Sequence, residues 1–185
     1  MTKQSEKLKE GSLTEKYNKM HQSGRWKDSW FLDKYERYQR MYQSIAREVA
    51  KMSHAKKLKV GAILVKDGRI ISMGWNGMPS GFNNKCEDIL DSTLTNPEVL
   101  HAETNCIAKL AKSSESGCGS LMYVTHPPCI DCAKLIYQSG ITEFIYEFDY
   151  ETEKTTNGIK FLARCGIPVN KVWMRPQGEK NESKE

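Results

Sequence analysis

The sequence predicts a three-layer α/β/α sandwich whose mixed central sheet has about five strands. The order of the elements supports this class, because one long helix precedes a β-hairpin, and helices and strands then alternate to the end of the chain. The length agrees as well, since 185 residues suffice for one domain with a substantial core. With 38% apolar and 28% charged residues, the composition is typical of a globular protein.

The first half of the chain predicts a helix followed by a hairpin. Apolar residues at helical spacing favour a helix over residues 30–52. A β-branched apolar run predicts a strand over 60–66. Asp67-Gly68 is typical of a two-residue hairpin turn, and a second strand is predicted over 69–75.

The second half predicts short helices in alternation with short strands. Gly140 is the clearest stop signal, because glycine commonly ends a helix. The predicted elements are helices over 101–112, 129–139 and 158–165 and strands over 121–125, 144–148 and 169–174.

The two ends of the chain differ from this body in composition. Residues 1–28 are polar, Lys-rich and weakly patterned, which predicts an appendage, and 176–185 reads as a solvated tail. The folded domain is therefore expected over 29–175. The N-terminus has no apolar core typical of a secretory signal, and no apolar run is long enough to cross a bilayer. We expect a cytoplasmic protein.

The net charge and the cysteine content indicate which substrates and which cysteine chemistry to expect. The formal net charge of +5 suits an anionic substrate, although it also suits any solvated surface, and we expect no nucleic-acid partner from charge alone. Without a signal peptide, six cysteines indicate thiols and metal ligands and not disulfides.

Three metal-ligating residues fall in two short motifs, each at the start of a predicted helix. His101 belongs to His-Ala-Glu, and Cys129 and Cys132 belong to Pro-Pro-Cys-Ile-Asp-Cys. Cysteines at i and i+3 share one helix face, and the positive end of the helix dipole favours thiolates there. One imidazole and two thiolates form a three-ligand zinc set that leaves a fourth position for water. The pattern therefore predicts one catalytic zinc per chain.

Glu103 stands two residues after His101 and is not required as a ligand. A carboxylate beside zinc-activated water can act as a general acid and base. Two other interpretations remain: a C-x-x-C pair is often a redox pair, and a structural zinc would need a fourth ligand such as Cys106 or Cys118. H-x-E followed by P-C-x-x-C is the signature of zinc deaminases, which favours the catalytic interpretation.

Over residues 30–174 the chain resembles deoxycytidylate (dCMP) deaminases of the phage and eukaryotic type, within the cytidine deaminase superfamily. The matching segments are VGAILVKDGRIISMGWNGMPSG, HAETNCIA, MYVTHPPCIDCAKLIYQSGI and FIYEFDY. The element GxNGxPSG with a following C-x-D is usually lacking in deaminases of free cytidine, guanine or tRNA. Here it spans 74–81 and 86–88.

The resemblance implies a cytidine deaminase-like fold over 29–175 and zinc-dependent conversion of dCMP to dUMP and ammonia, which supplies dUMP for thymidylate synthesis. It also implies that His101, Cys129 and Cys132 bind the zinc and that Glu103 moves the protons. By the same comparison, Asn76 contacts the deoxyribose and Tyr150 contacts the nucleotide.

Members of this family are commonly hexamers that dCTP with Mg²⁺ activates and dTTP inhibits, and the resemblance implies the same here. Gly74, Gly77 and Gly81 would let backbone N–H groups approach a triphosphate. Lys109 and Lys112 stand where some phage members have Phe and Arg, close to the regulatory region. Both lysines are therefore included in the candidate effector site.

The sequence also departs from the family and leaves alternatives open. Trp75 replaces the more usual Tyr, and a second, structural zinc near Cys86 would need partners such as His54 and Glu98. The alternative functions are deamination of another cytosine nucleotide or nucleoside (dCTP, CMP or cytidine), deamination of a cytosine or adenine in a polynucleotide, and a non-catalytic role with a structural zinc.

Overall fold

A computed structural model describes residues 29–172 of this protein and confirms the predicted fold class. The elements in chain order are α1 (Ser29–Ala50), β1 (Gly61–Lys66), β2 (Arg69–Trp75), α2 (Ala102–Leu110), β3 (Leu121–Val124), α3 (Ile130–Gln138), β4 (Glu143–Tyr146), α4 (Glu153–Arg164) and β5 (Val169–Lys171). The predicted segments 1–28 and 176–185 and the end of the last predicted strand lie outside the described residues. The domain boundaries therefore stay a prediction. Within the described range, none of the helices has the length and hydropathy needed to cross a membrane.

The five strands form one mixed sheet in the order β2-β1-β3-β4-β5. β1 runs antiparallel to both β2 and β3, while β3, β4 and β5 are parallel to one another. Consequently β2, β3, β4 and β5 all end at the same edge of the sheet, where β1 begins. We call this the carboxyl edge, and in open α/β sheets it is the usual position of a ligand site.

Helices cover both faces of the sheet, because the strands bury side chains in both directions. α1 lies on one face, where Tyr42, Ala46 and Val49 pack on side chains of β1, β3 and β4. On the other face α2, α3 and α4 bury a second cluster that includes Cys106, Ile136 and Leu162. This division produces the three predicted layers.

The hairpin turn between β1 and β2 has the predicted form. Asp67 and Gly68 both have positive φ, 50° and 74°, as a type I′ turn requires, and Lys66 pairs directly with Arg69. The Tyr42 hydroxyl donates to the Gly68 carbonyl at 2.9 Å, which ties α1 to the turn.

The predicted start of the last helix at residue 158 is wrong, because α4 begins at Glu153. Thr152 and Thr155 form a reciprocal capping box there, which satisfies backbone donors that a helix start leaves unpaired. Gly158 lies inside the helix for a packing reason. A Cβ at this position would lie 2.2 Å from the Pro128 carbonyl oxygen. The glycine therefore permits a close approach between α4 and the start of α3.

Candidate metal centre and active site

The carboxyl edge gathers the chain segments that carry the candidate residues. Asn76 directly follows β2, and the Pro127–Cys129 segment follows β3. The start of α2 is held at the same edge, because Gly77 and Leu100 exchange two backbone hydrogen bonds of 3.1 and 2.9 Å. Residues far apart in the sequence therefore lie at the same edge of the sheet.

His101, Cys129 and Cys132 form a compact group of metal-ligating atoms. The Nδ1 atom of His101 lies 3.4 Å from the Cys129 sulfur and 3.3 Å from the Cys132 sulfur. Tetrahedral zinc with ordinary Zn–N and Zn–S bond lengths places such atoms about 3.6 Å apart. Among the described residues this is the only group of three or more such side chains close enough to share an ion. The donor set and its spacing therefore fit zinc.

The start of α3 orients the two cysteines. Cys129 is the N-cap residue, and its sulfur accepts a hydrogen bond from the backbone N–H of Cys132 at 3.5 Å. A hydrogen bond from the Cys132 thiol lowers the pKa of Cys129 to about 4, whereas the same bond and burial raise the pKa of Cys132. Zinc requires both sulfurs as thiolates, so binding displaces the proton that the pair shares.

Glu103 is buried in the first turn of α2, with only 4% of its surface exposed. Burial raises the pKa of its carboxyl to about 7, because a carboxylate loses hydration there. The side chain interacts with the Cys132 thiol, yet it is not a member of the metal-ligating group. A carboxyl of this kind beside the metal ligands can both accept and release protons near neutral pH.

Asn76 uses its side chain to hold the chain that leads into β1. Its Oδ1 accepts the Val60 backbone N–H at 2.8 Å, and its Nδ2 donates to the Leu58 carbonyl at 2.8 Å. Its own carbonyl accepts from the Ser53 hydroxyl at 2.7 Å. Each side-chain atom keeps one further hydrogen-bonding position. The Asn76 amide is therefore fixed in orientation at the carboxyl edge.

Tyr150 lies beyond the end of β4, half exposed, and packs edge-on against His126 with ring centroids 6.1 Å apart. Phe148 covers another side of the same imidazole at 5.5 Å. The Thr125 hydroxyl accepts the Gly61 backbone N–H at 3.2 Å and is hydrogen-bonded to Nδ1 of His126 at 2.9 Å. Burial lowers the pKa of His126, which favours the neutral ring.

His126 was not predicted from the sequence as a functional residue. Its only local signal is the position three residues before Cys129. Its aromatic neighbours come from beyond the next strand, and the structure alone brings them together.

The candidate effector residues occupy different environments. Gly74 is buried against α2, where a Cβ would lie 2.4 Å from the Cys106 nitrogen. Close packing therefore explains why this residue is a glycine. Gly77 and Gly81 lie in the following loop, and Gly81 has a positive φ of 94°. The Lys109 ammonium lies 3.9 Å over the Trp75 ring, and Lys112 is exposed just after α2.

The Cys86 region shows no second metal group within the described residues. Cys86 is buried, and burial raises the pKa of its thiol. His54 and Glu98, the candidate partners, are both exposed. None of the six cysteines is in a disulfide.

Comparison with known proteins agrees with this geometry. The family model described as "Cytidine and deoxycytidylate deaminase zinc-binding region" matches residues 36–148. The deoxycytidylate deaminase of Mus musculus is 33% identical over 149 residues, which cover 75% of this chain and 82% of the mouse protein. The deoxycytidylate deaminase of Enterobacteria phage T4 is 32% identical over 167 residues, covering 69% of this chain and 86% of that protein.

A solved structure extends the likeness to the fold. The dCMP deaminase of the cyanophage S-TIM5, crystallised with dCMP and dUMP, is 46% identical and superposes with a TM-score of 0.67. The match covers 72% of this chain and 95% of the cyanophage chain. Together with the zinc-compatible group of one histidine and two cysteines, these matches show that the chain belongs to the cytidine and deoxycytidylate deaminase family.

Proposed function

We propose that this protein is a zinc-dependent deaminase that hydrolyses dCMP to dUMP and ammonia. The main support for this proposal is that the buried Glu103 lies beside the metal-ligating group of His101, Cys129 and Cys132. The substrate follows from the relatives, since the mouse and phage proteins are deoxycytidylate deaminases and the cyanophage structure holds dCMP and dUMP.

His101, Cys129 and Cys132 would hold the zinc. When bound, the ion lowers the pKa of a water molecule toward neutrality. Glu103 takes a proton as the water oxygen adds to C4 of cytosine, and it delivers that proton to N3. Glu103 then moves the second proton from the added hydroxyl to the amino group, the C4–N bond breaks, and ammonia leaves. A pKa of about 7 suits a group that must accept and donate in turn.

Two residues are proposed to bind the nucleotide. Asn76 would hydrogen-bond the deoxyribose, which is supported by its fixed orientation at the carboxyl edge. Tyr150 would contact the nucleotide. This role is supported by its half-exposed ring, which packs against His126, and His126 stands three residues before the proposed zinc ligand Cys129. Both lie on segments that follow strands ending at the same edge.

A substrate panel tests the function. Ammonia release is measured for dCMP, CMP, dCTP, deoxycytidine and single-stranded DNA, and the Glu103→Gln protein serves as the blank for contaminating deaminases. We expect the highest kcat/KM with dCMP and a much lower value with CMP, because a site shaped around a missing 2′-hydroxyl excludes it sterically. Equal kcat/KM for dCMP and CMP would indicate a broader nucleotide deaminase. Activity confined to single-stranded DNA would contradict the proposal.

We propose in addition that the protein is a hexamer that dCTP with Mg²⁺ activates and dTTP inhibits. The loop with Gly77 and Gly81 follows Trp75 and also carries Asn76, so an effector bound there would reach a substrate contact through one short segment. Lys109 is near the same segment, over the Trp75 ring. An effector can act only if it binds two arrangements of this loop with different affinity.

Saturation curves for dCMP and the elution volume test regulation together. We expect sigmoidal curves without dCTP, hyperbolic curves with dCTP and Mg²⁺, and elution as a hexamer. Hyperbolic curves that neither dCTP nor dTTP changes, from a protein that elutes as a monomer, would rule regulation out. We also propose that the enzyme is in the cytoplasm, a reducing compartment that suits the metal-ligating thiols of Cys129 and Cys132.

A further inference from the structure

The phosphate of a nucleotide lies at the end opposite the ring carbon that reacts in deamination. The cation that binds this phosphate therefore belongs at the rim of the site and not beside the metal ligands. We propose that Lys154, in the first turn of α4, binds the 5′-phosphate and thereby makes the enzyme select a nucleotide over a nucleoside. This assignment rests on the deamination reaction proposed above.

The packing of α4 against α3 places Lys154 near the metal ligands. Gly158 contacts the backbone of Pro128 and Cys129, since a Cβ there would lie 2.2 Å from the Pro128 oxygen and 2.9 Å from the Cys129 carbonyl carbon. Lys154 lies four residues earlier in the same helix and therefore on the same face, one turn nearer the carboxyl edge. Helical side chains also lean toward the N-terminus, which directs Lys154 to the rim.

Hydrogen bonds make the turn that carries Lys154 a defined structure. The Thr155 backbone N–H donates to the Thr152 hydroxyl at 3.2 Å, and the Thr152 N–H donates to the Thr155 hydroxyl at 2.9 Å. The Thr155 hydroxyl also lies 2.7 Å from the Tyr150 carbonyl oxygen, to which it donates. These hydrogen bonds therefore fix the backbone of the segment that contains both Lys154 and Tyr150, the residue proposed to contact the nucleotide.

Lys154 itself has no hydrogen bond or ion pair with any residue that the structure describes, whereas one lysine of α3 and one of β5 are engaged. Lys134 binds the Asp131 carboxylate at 2.7 Å, and Lys171 pairs with Asp149. Another exposed lysine is Lys59, directly before Val60, which Asn76 holds at the carboxyl edge. Of these cations, Lys154 alone lies in α4, the helix that packs on the Cys129 backbone.

The experiment compares Lys154→Met with two matched controls, Lys160→Met, further along α4, and Lys59→Met. All three residues are exposed, and zinc content and Tm verify that each variant folds. kcat/KM is measured with dCMP and with deoxycytidine, which lacks the phosphate, and dUMP and deoxyuridine affinities are measured by calorimetry. The salt dependence of kcat/KM for dCMP is recorded as well, because screening weakens a contact between an exposed cation and a phosphate.

We expect Lys154→Met to lower kcat/KM for dCMP by about 10- to 100-fold, chiefly through KM, as the loss of a hydrogen bond to a charged group does. Affinity for dUMP should fall by a similar factor, whereas values for deoxycytidine and deoxyuridine change less than about threefold. Lys160→Met should match the wild type, and Lys154→Arg should recover most of the loss.

Two results would overturn the assignment while dCMP deamination stands: an equal loss with dCMP and deoxycytidine in Lys154→Met, or a selective loss in Lys59→Met alone. A wild-type protein that releases no ammonia from dCMP would refute the proposed function itself, and the assignment with it.

Discussion

We expect the Glu103→Gln protein to keep one zinc per chain and to lose kcat by about 10²–10⁴-fold or more. The substitution leaves His101, Cys129 and Cys132 untouched and preserves the shape of the side chain, so the metal group should survive. Glutamine cannot take a proton from water or deliver one to N3 and to the amino group. Because one carboxyl carries out all these proton transfers, its loss impairs every one of them.

The measurement is ammonia release from dCMP together with elemental analysis of the same sample. Glu115→Gln is the matched control, since Glu115 follows α2 and pairs with Arg69 at 3.3 Å at the other end of β2. It should retain wild-type kcat. A Glu103→Gln protein with a third of the normal turnover would show that another group moves the protons.

The second large effect is expected from Cys132→Ala, which should remove zinc and lower stability together. A ligand present at a thousand times its Kd stabilises the folded state by about 4 kcal/mol. For a chain of this size each kcal/mol corresponds to about 2–4 °C in Tm. Loss of the metal should therefore lower Tm by roughly 10 °C, and a chelator should lower the Tm of the wild type by a similar amount.

The Cys106→Ala variant distinguishes the stability lost with the metal from the stability lost with side-chain packing. Both Cys106 and Cys132 are buried in the cluster on the α2–α4 face, but only Cys132 belongs to the metal-ligating group. Cys106→Ala should keep zinc and lose only the packing of a small side chain. If Cys132→Ala still binds one zinc per chain, the ligand assignment is wrong. Two zincs in the wild type would instead support a second site at Cys86.

Local patterns predicted the elements well where their signals lie within a few residues. The Asp67-Gly68 turn and the two strands beside it were predicted correctly because the turn type depends on those residues alone. The start of α4 was missed although its signal is also local, since Thr152 and Thr155 form the capping box there. The reason for a glycine inside this helix, in contrast, is not local. Gly158 reads as a weak helix residue, and its contact with the Pro128 carbonyl, which explains it, crosses from one element to another.

The composition of the candidate metal centre was determined by the sequence itself. His101 and Glu103 share one motif and Cys129 and Cys132 the other, and the first turn of a helix sets the spacing within each motif. Residue type alone then limits the metal, because imidazole and thiolate ligands suit zinc. The reaction class follows from these local facts.

Only the tertiary structure decided which other side chains are oriented at the same edge of the sheet. Asn76 is oriented by the backbone of Leu58 and Val60, which lies 16–18 residues away along the chain. The proposed place of Lys154 at the rim depends on the tight packing of α4 on the start of α3. Neither relation has a periodic or motif signature, since each depends on how two elements approach in space. The chemistry was therefore predictable from short motifs, whereas the contacts that we propose with the sugar and the phosphate depend on the assembled carboxyl edge.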